Sequence, residues 1–356
     1  MKLEISRYVQ VMMQQPDHSS RMARPGLRVI IIGLGAAAAF FLSLPLGRYH
    51  IPLSDIVAAL SAAISPGVEL IPDAVQTVLF NIRLPRILTG MLVGAVLSAS
   101  GAVYQGMFRN PLVSPDILGA SAGAGFGAAF AIWCSWGIAG IQVSAFICGL
   151  TAVLSAWGLS TRMRHEPMLA LVLSGILIGT LFSAGTAAVK YIADPLDKLP
   201  AITFWLMGSL AASTRRDALI LAAAAAAGLV PLLALRWRLN VLSLGDEEAQ
   251  ALGLETGKLR FGVIICATLM TTVSVSIGGM IGWVGLIVPH LARMIVGPNY
   301  GVLLPASALL GGAYLLVVDD LARMVAPVET PLGILTALIG VPFFLCLLKY
   351  NTRDWQ

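Results

Sequence analysis

Along most of the chain, long uncharged runs alternate with short polar joints. A helix needs about 20 apolar residues to cross the hydrocarbon core of a bilayer, and runs of that size without Asp, Glu, Lys or Arg recur throughout. Val29–Gly47, Ile87–Phe108, Pro167–Val189, Ala218–Leu235, Met294–Val318 and Thr330–Leu348 each predict one span. Ile117–Thr161 and Phe261–Ala292 are each too long for one. Trp136-Gly137 offers a turn that divides the first, and the Gly278-Gly279-Met280-Ile281-Gly282 cluster breaks the second. The expectation is an all-α polytopic membrane protein of about ten transmembrane helices, an even number that places both termini on one side. Residues 1–26 then form an N-terminal segment, 27–348 a single transmembrane domain and 349–356 a tail, with a polar segment at 236–260 between the sixth and seventh spans.

Composition sharpens this picture. The chain has 356 residues, 58% of them hydrophobic and only 12% charged, with a mean hydropathy of +0.86. A soluble domain carries about 25% charged residues, so a soluble enzyme, a disordered chain and a nucleic-acid binder are excluded despite a pI near 9.2. Lys and Arg set the orientation, because cytoplasmic loops of membrane proteins accumulate them. Placing the N-terminus in the cytoplasm puts fifteen of these cations inside and eight outside, the latter including Arg48, Arg83, Arg86, Lys198, Arg215 and Arg323. No small-residue cleavage site follows the first apolar run, which therefore reads as an uncleaved span.

Small residues recur at four-residue spacing: Gly90 and Gly94; Gly119, Gly123 and Gly127; Gly175 and Gly179. In lipid such spacing lets backbones approach closely, and together the pairs predict a compact bundle. Charge inside the spans is nearly absent, whereas an ion-coupled carrier places an acid or His near mid-membrane. Asp319 and Asp320 lie near the outer end of the ninth helix, close to Arg323, and read as a solvated or paired helix end more readily than as a proton relay. His290 has no second ligand three or four residues away, and Cys134, Cys148, Cys266 and Cys346 each sit alone in an apolar stretch, so no metal site is legible. The nearest approach to a phosphate-binding loop, Gly253-Leu254-Glu255-Thr256-Gly257-Lys258, is one residue short between its glycines. Leu259 also replaces its magnesium-binding Ser/Thr. The chain is expected to bind no ATP and to need no cofactor of its own.

One cytoplasmic stretch stands apart: Leu244, Gly245, Asp246, Glu247, Glu248, Ala249, Gln250, Ala251, Leu252 and Gly253 form a short helix-forming segment bracketed by glycines. Its acids suit the first turn of a helix. Read alone, it is an ordinary surface-loop helix.

Six blocks, in order from about residue 80 to 348, resemble the permease subunit of ABC importers for iron-siderophores, haem and cobalamin. They are Arg83-Leu84-Pro85-Arg86; Arg109-Asn110-Pro111-Leu112 with Leu118-Gly119; Leu244–Gly253; Gly282–His290 with Arg293; Leu304-Pro305 with Asp319-Asp320 and Arg323; and Pro331-Leu332-Gly333 with Gly340-Val341-Pro342. The resemblance implies a second copy of the permease, two ATP-binding subunits carrying ATP and magnesium, and a soluble or lipid-anchored substrate-binding protein. It also implies a metal-chelate substrate in a bacterial or archaeal cell membrane, and no nucleic acid. Leu244–Gly253 would match the helices that dock on the ATPase; Asn110 and Leu112 would match a cytoplasmic constriction; Arg83, Arg86 and Arg323 would receive the binding protein. The facing side of the constriction, near His165-Glu166-Pro167, departs from the family pattern, and no gate residue is carried over there. Iron-siderophore is the default cargo, with haem, cobalamin or an oxyanion such as molybdate as alternatives. A secondary carrier and a membrane enzyme are the competing classes, and neither a mid-membrane acid nor a catalytic constellation supports them.

Overall fold

The computed structural model describes residues 25–49, 51–64, 72–163, 167–326 and 328–350, and among these every regular element is helical. The helices are α1 Pro25–Ser43, α2 Leu53–Ile64, α3 Asp73–Met107, α4 Ala120–Trp133, α5 Ile138–Ser160, α6 Pro167–Ile192, α7 Lys198–Met207, α8 Arg215–Ala234, α9 Arg236–Leu242, α10 Asp246–Ala251, α11 Thr256–Gly278, α12 Val284–Val296, α13 Tyr300–Met324 and α14 Leu332–Tyr350. Seven of them, α1, α3, α5, α6, α8, α11 and α13, are long and apolar enough to cross a bilayer unaided. The shorter apolar helices α4, α12 and α14 bring the total among the described residues to about ten, and α2 is a further short apolar helix. His165, with the approach to a facing gate, and most of the two terminal segments lie outside the described residues.

Helix α3 is the axis of the subunit. It packs on α13, α11, α12 and α8, and nearly all of its residues from Ile87 to Met107 are buried. Two crossings explain how that is possible in a medium that gives helices no hydrophobic drive to associate. A Cβ on Gly94 would run into the carbonyl of Gly311 in α13, and one on Gly101 into the carbonyl of Gly285 in α12. The backbones therefore touch, and dispersion between close-packed atoms stands in for hydrophobic drive. The expected glycine pairs at 123 and 127 act likewise, meeting the Cys148 and Ser144 carbonyls of α5.

Both anticipated breaks are present. Ser135 takes φ +59° between α4 and α5, and Gly279 takes φ +71° after α11. Three expectations need correcting. The ninth span begins at Tyr300, not Met294, because Gly297 at φ +86° ends α12 and the Asn299 side chain accepts from Gly301 N to start α13. The second begins at Asp73, fourteen residues before the uncharged run, since inside the bundle Arg86 is paired with Asp319 and Arg83 is held by the Leu44 and Tyr49 carbonyls. The outer stretch Lys190–Met207, which the uncharged runs leave as a joint between the spans Pro167–Val189 and Ala218–Leu235, contains helix α7.

Candidate functional site

At the outer end, the run-up to α3 contains a π-helical turn, Thr77–Arg83. In that geometry a carbonyl is served by the N–H five residues on; for Phe80 this is Pro85, which has none. Arg215 at the start of α8 takes the orphan: its Nε donates to the Phe80 carbonyl at 3.2 Å and its Nη2 to Asn81 Oδ1 at 2.9 Å. The kink thus aims Arg83 and Arg86 inward.

Arg83, Arg86 and Arg323 retain only 4%, 7% and 7% of their surface. Arg86 grips Asp319 with Nε 3.1 Å from both carboxylate oxygens and Nη2 2.9 Å from Oδ1, and its Nη1 reaches Glu329 at 2.9 Å. Arg323 lies 3.2 Å from Asp319 and pairs with Asp320, while its Nη1 donates to the Leu46 carbonyl at 3.0 Å. Ser43 of α1 donates to Asp320 at 2.6 Å. Arg83 donates to the carbonyls of Leu44 and Tyr49. Three guanidinium groups and three carboxylates therefore form a neutral cluster tying α1, α3, α13 and the loop before α14. As the chain folds alone, Arg86 and Arg323 are committed to Asp319, Asp320 and Glu329, Arg83 is held by backbone carbonyls, and Asp319 and Asp320 form a paired helix end. Beside Arg323 lies an outward-facing hollow of about 490 Å³ lined by Gly47, Arg48, Arg323, Met324, Val325 and Ala326.

At the cytoplasmic end, α10 occupies the expected segment. Gly245 enters it at φ +146° and Gly253 leaves it at φ +79°. Gly253 N donates to Gln250 O and Leu254 N to Ala249 O, at 2.9 and 3.0 Å, closing the helix with a Schellman motif. Arg260 of α11 pairs with Asp246, fixing the segment to its base. Ala249 is fully buried, whereas Leu244, Glu247, Glu248, Gln250, Ala251 and Leu252 face outward. The result is a small rigid knob with an apolar tip, Leu244 and Leu252 being 61% and 58% exposed.

The turn after α3 carries the other candidates. Asn110 N donates to Gln105 O at 3.0 Å and Asn110 Oδ1 accepts from Leu112 N at 2.9 Å, leaving the Leu112 side chain 47% exposed. The 3₁₀ turn that follows, Pro115–Leu118, is pressed on α6: a Cβ on Gly175 would strike the Ile117 carbonyl. Sequence reasoning missed Arg215 and Glu329, whose roles depend on neighbours more than 130 residues away.

Among the described residues, a bundle of apolar helices with long uncharged runs and a rigid cytoplasmic knob is an architecture suited to a membrane transport subunit. The comparisons agree: the chain belongs to the FecCD transport family, whose model matches residues 35–350. It is thus a multi-pass permease subunit of an ABC importer, a class in which separate subunits hydrolyse ATP. The molybdate import system permease protein MolB of Haemophilus influenzae is 43% identical, over 85% of this chain and 89% of its own length. The cobalamin import system permease protein BtuC of Halobacterium salinarum is 39% identical, over 94% and 90%. A solved inward-facing structure, described as a metal-chelate type ABC transporter, superposes with a TM-score of 0.83 at 39% identity, covering 92% of this chain and all of that one.

Proposed function

We propose that the chain is one of two permease copies in an importer for a chelated metal, with an iron-siderophore as the first candidate cargo. Two ATP-binding subunits would seat on α10 at the cytoplasmic face, and a substrate-binding protein would deliver cargo at the outer face. The observation that carries the reading is the combination of a rigid, glycine-bracketed knob with spans that each contain a long run free of Asp, Glu, Lys and Arg. A bulky chelate needs a smooth path and an external source of force, and both suit this chain. Support for the cargo comes from relatives named for iron chelatin, hemin, Fe(3+)-citrate and iron(3+)-hydroxamate transport. Molybdate is the second reading, favoured by the 43% identical relative.

In this account Asn110 and Leu112 form one side of the cytoplasmic constriction. Docking of the binding protein uses the hollow at Arg48 and Arg323, where an incoming carboxylate competes with Asp320 for a guanidinium. Arg83 and Arg86 hold that site in place from behind. The cargo is tested by uptake into proteoliposomes holding the permease, its ATPase and its binding protein, offered ferric hydroxamate, molybdate or cobalamin in turn. ATP-dependent accumulation of the ferric chelate supports the reading; accumulation of molybdate alone overturns it.

A further inference from the structure

Helix α3 ends in a Schellman motif: Arg109 N donates to Gly106 O and Asn110 N to Gln105 O, at 3.1 and 3.0 Å. The residue at the left-handed position of such a motif is by default glycine. Here it is Arg109, at φ +49°. An L residue is strained in that conformation, so the side chain is expected to have a use that glycine could not supply. Among the described residues the Arg109 guanidinium makes no hydrogen bond or ion pair within its own turn. Instead it lies against the start of α10: a Cβ built on Gly245 would sit 3.3 Å from Arg109 Nη1 and would collide with the Glu248 carboxylate.

The two positions are complementary. An arginine stands where glycine is the default, and the glycine that opens α10 at φ +146° leaves room beside it for the guanidinium. The first turn of α10 contributes Asp246, Glu247 and Glu248, and the Glu248 carboxylate shares the space beside Gly245 with the Arg109 guanidinium. Behind Arg109 the turn is stiff, since Asn110 is bonded both back to Gln105 and forward to Leu112. A displacement of α10 toward α3 is therefore passed to a unit whose far side is Leu112.

We propose that Arg109 is the positioning residue through which motion of α10 reaches the constriction at Asn110 and Leu112. The inference rests on the coupling and gate roles proposed above. The link is short and internal to one chain: one side chain joins the cytoplasmic knob to the turn that ends the central helix.

The test uses the complete transporter in nanodiscs, with the four native cysteines replaced and a single Leu112→Cys introduced. The maleimide labelling rate at that cysteine is compared with and without ATP, magnesium and vanadate. With Arg109 present, nucleotide should change the rate at least fivefold. In Arg109→Gly the change should fall below about 1.5-fold, although the permease alone should melt at the same temperature or higher, because glycine suits the turn better. Arg109→Gln, which keeps length without charge, should behave like Arg109→Gly, and Arg109→Lys should recover part of the response. A purely structural arginine would move the melting temperature and leave the nucleotide response intact. A full response in Arg109→Gly overturns the proposed link while leaving the gate assignment standing. No response even with Arg109 present overturns the gate assignment, and the proposal with it.

Discussion

Replacing Arg86 by Met leaves Asp319, which has no exposed surface, facing only Arg323 at 3.2 Å. Stranding a buried charge costs roughly 3–5 kcal/mol. Since one cation remains, the lower end, about 3 kcal/mol, is the expected loss. Asp319→Leu is expected to cost about as much, for it leaves three guanidinium groups against two carboxylates. The double variant Arg86→Met/Asp319→Leu restores a neutral cluster of two and two. A buried ion pair replaced by apolar groups of similar volume is close to neutral in stability, so the double variant should lie within about 1 kcal/mol of the parent. The expected coupling is therefore several kcal/mol, the signature of groups in one network. The assay is reversible unfolding of the purified permease in mixed micelles titrated with SDS, followed by tryptophan fluorescence. Single-variant losses below about 1 kcal/mol, or losses that add in the double variant, would refute the view that Arg86 is a buried structural pair.

Arg215→Met should cost about 0.5–1 kcal/mol by removing the hydrogen bond to the Phe80 carbonyl at a solvent-facing site, and Pro85→Ala, which supplies an N–H, should reduce that loss in the same unfolding assay. Gly94→Val should prevent α3 from closing on Gly311 and abolish a monodisperse chromatographic peak, overpacking of this kind costing roughly 1–3 kcal/mol or more. Ala251→Glu, on the exposed side of α10, should stop ATP-driven uptake while the ten spans remain inserted; wild-type uptake would make α10 an ordinary loop helix. Ala249→Glu is unsuited to that purpose, because Ala249 is buried and its loss should lower stability directly. Isothermal titration of the purified chain without partners should give no heat of ATP binding, and measurable affinity would contradict the reading of the defective phosphate loop.

Much of the fold was legible because lipid imposes a simple code. Uncharged length reports a crossing, Gly278-Gly279 reports where one long run must break, and the other run turns beside Trp136-Gly137 with its left-handed residue at Ser135. The knob at Leu244–Gly253 was legible for a related reason: its ends need backbone angles that glycine adopts freely. What could not be read was pairing at a distance. Nothing local to Arg86 reveals that Asp319 and Glu329 wait more than 230 residues downstream, so a buried guanidinium looked like an exposed one. The uncharged-run rule also trimmed α3, because an arginine neutralised inside a bundle interrupts the run without ending the helix. The motif around Arg109 is visible in the sequence, yet the residue's left-handed angle and its place beside Gly245 exist only in three dimensions.

The central claim is that this chain conducts cargo across a membrane with force supplied by a separate ATPase acting on α10. The most direct measurement is uptake of radiolabelled ferric hydroxamate into proteoliposomes holding the permease, its ATPase subunits and the binding protein, with an imposed proton or sodium gradient as the alternative power source. Accumulation that requires ATP, is lost in Ala251→Glu and is indifferent to the gradients is the predicted result. Accumulation driven by an ion gradient through the permease alone, with no ATPase present, would contradict it.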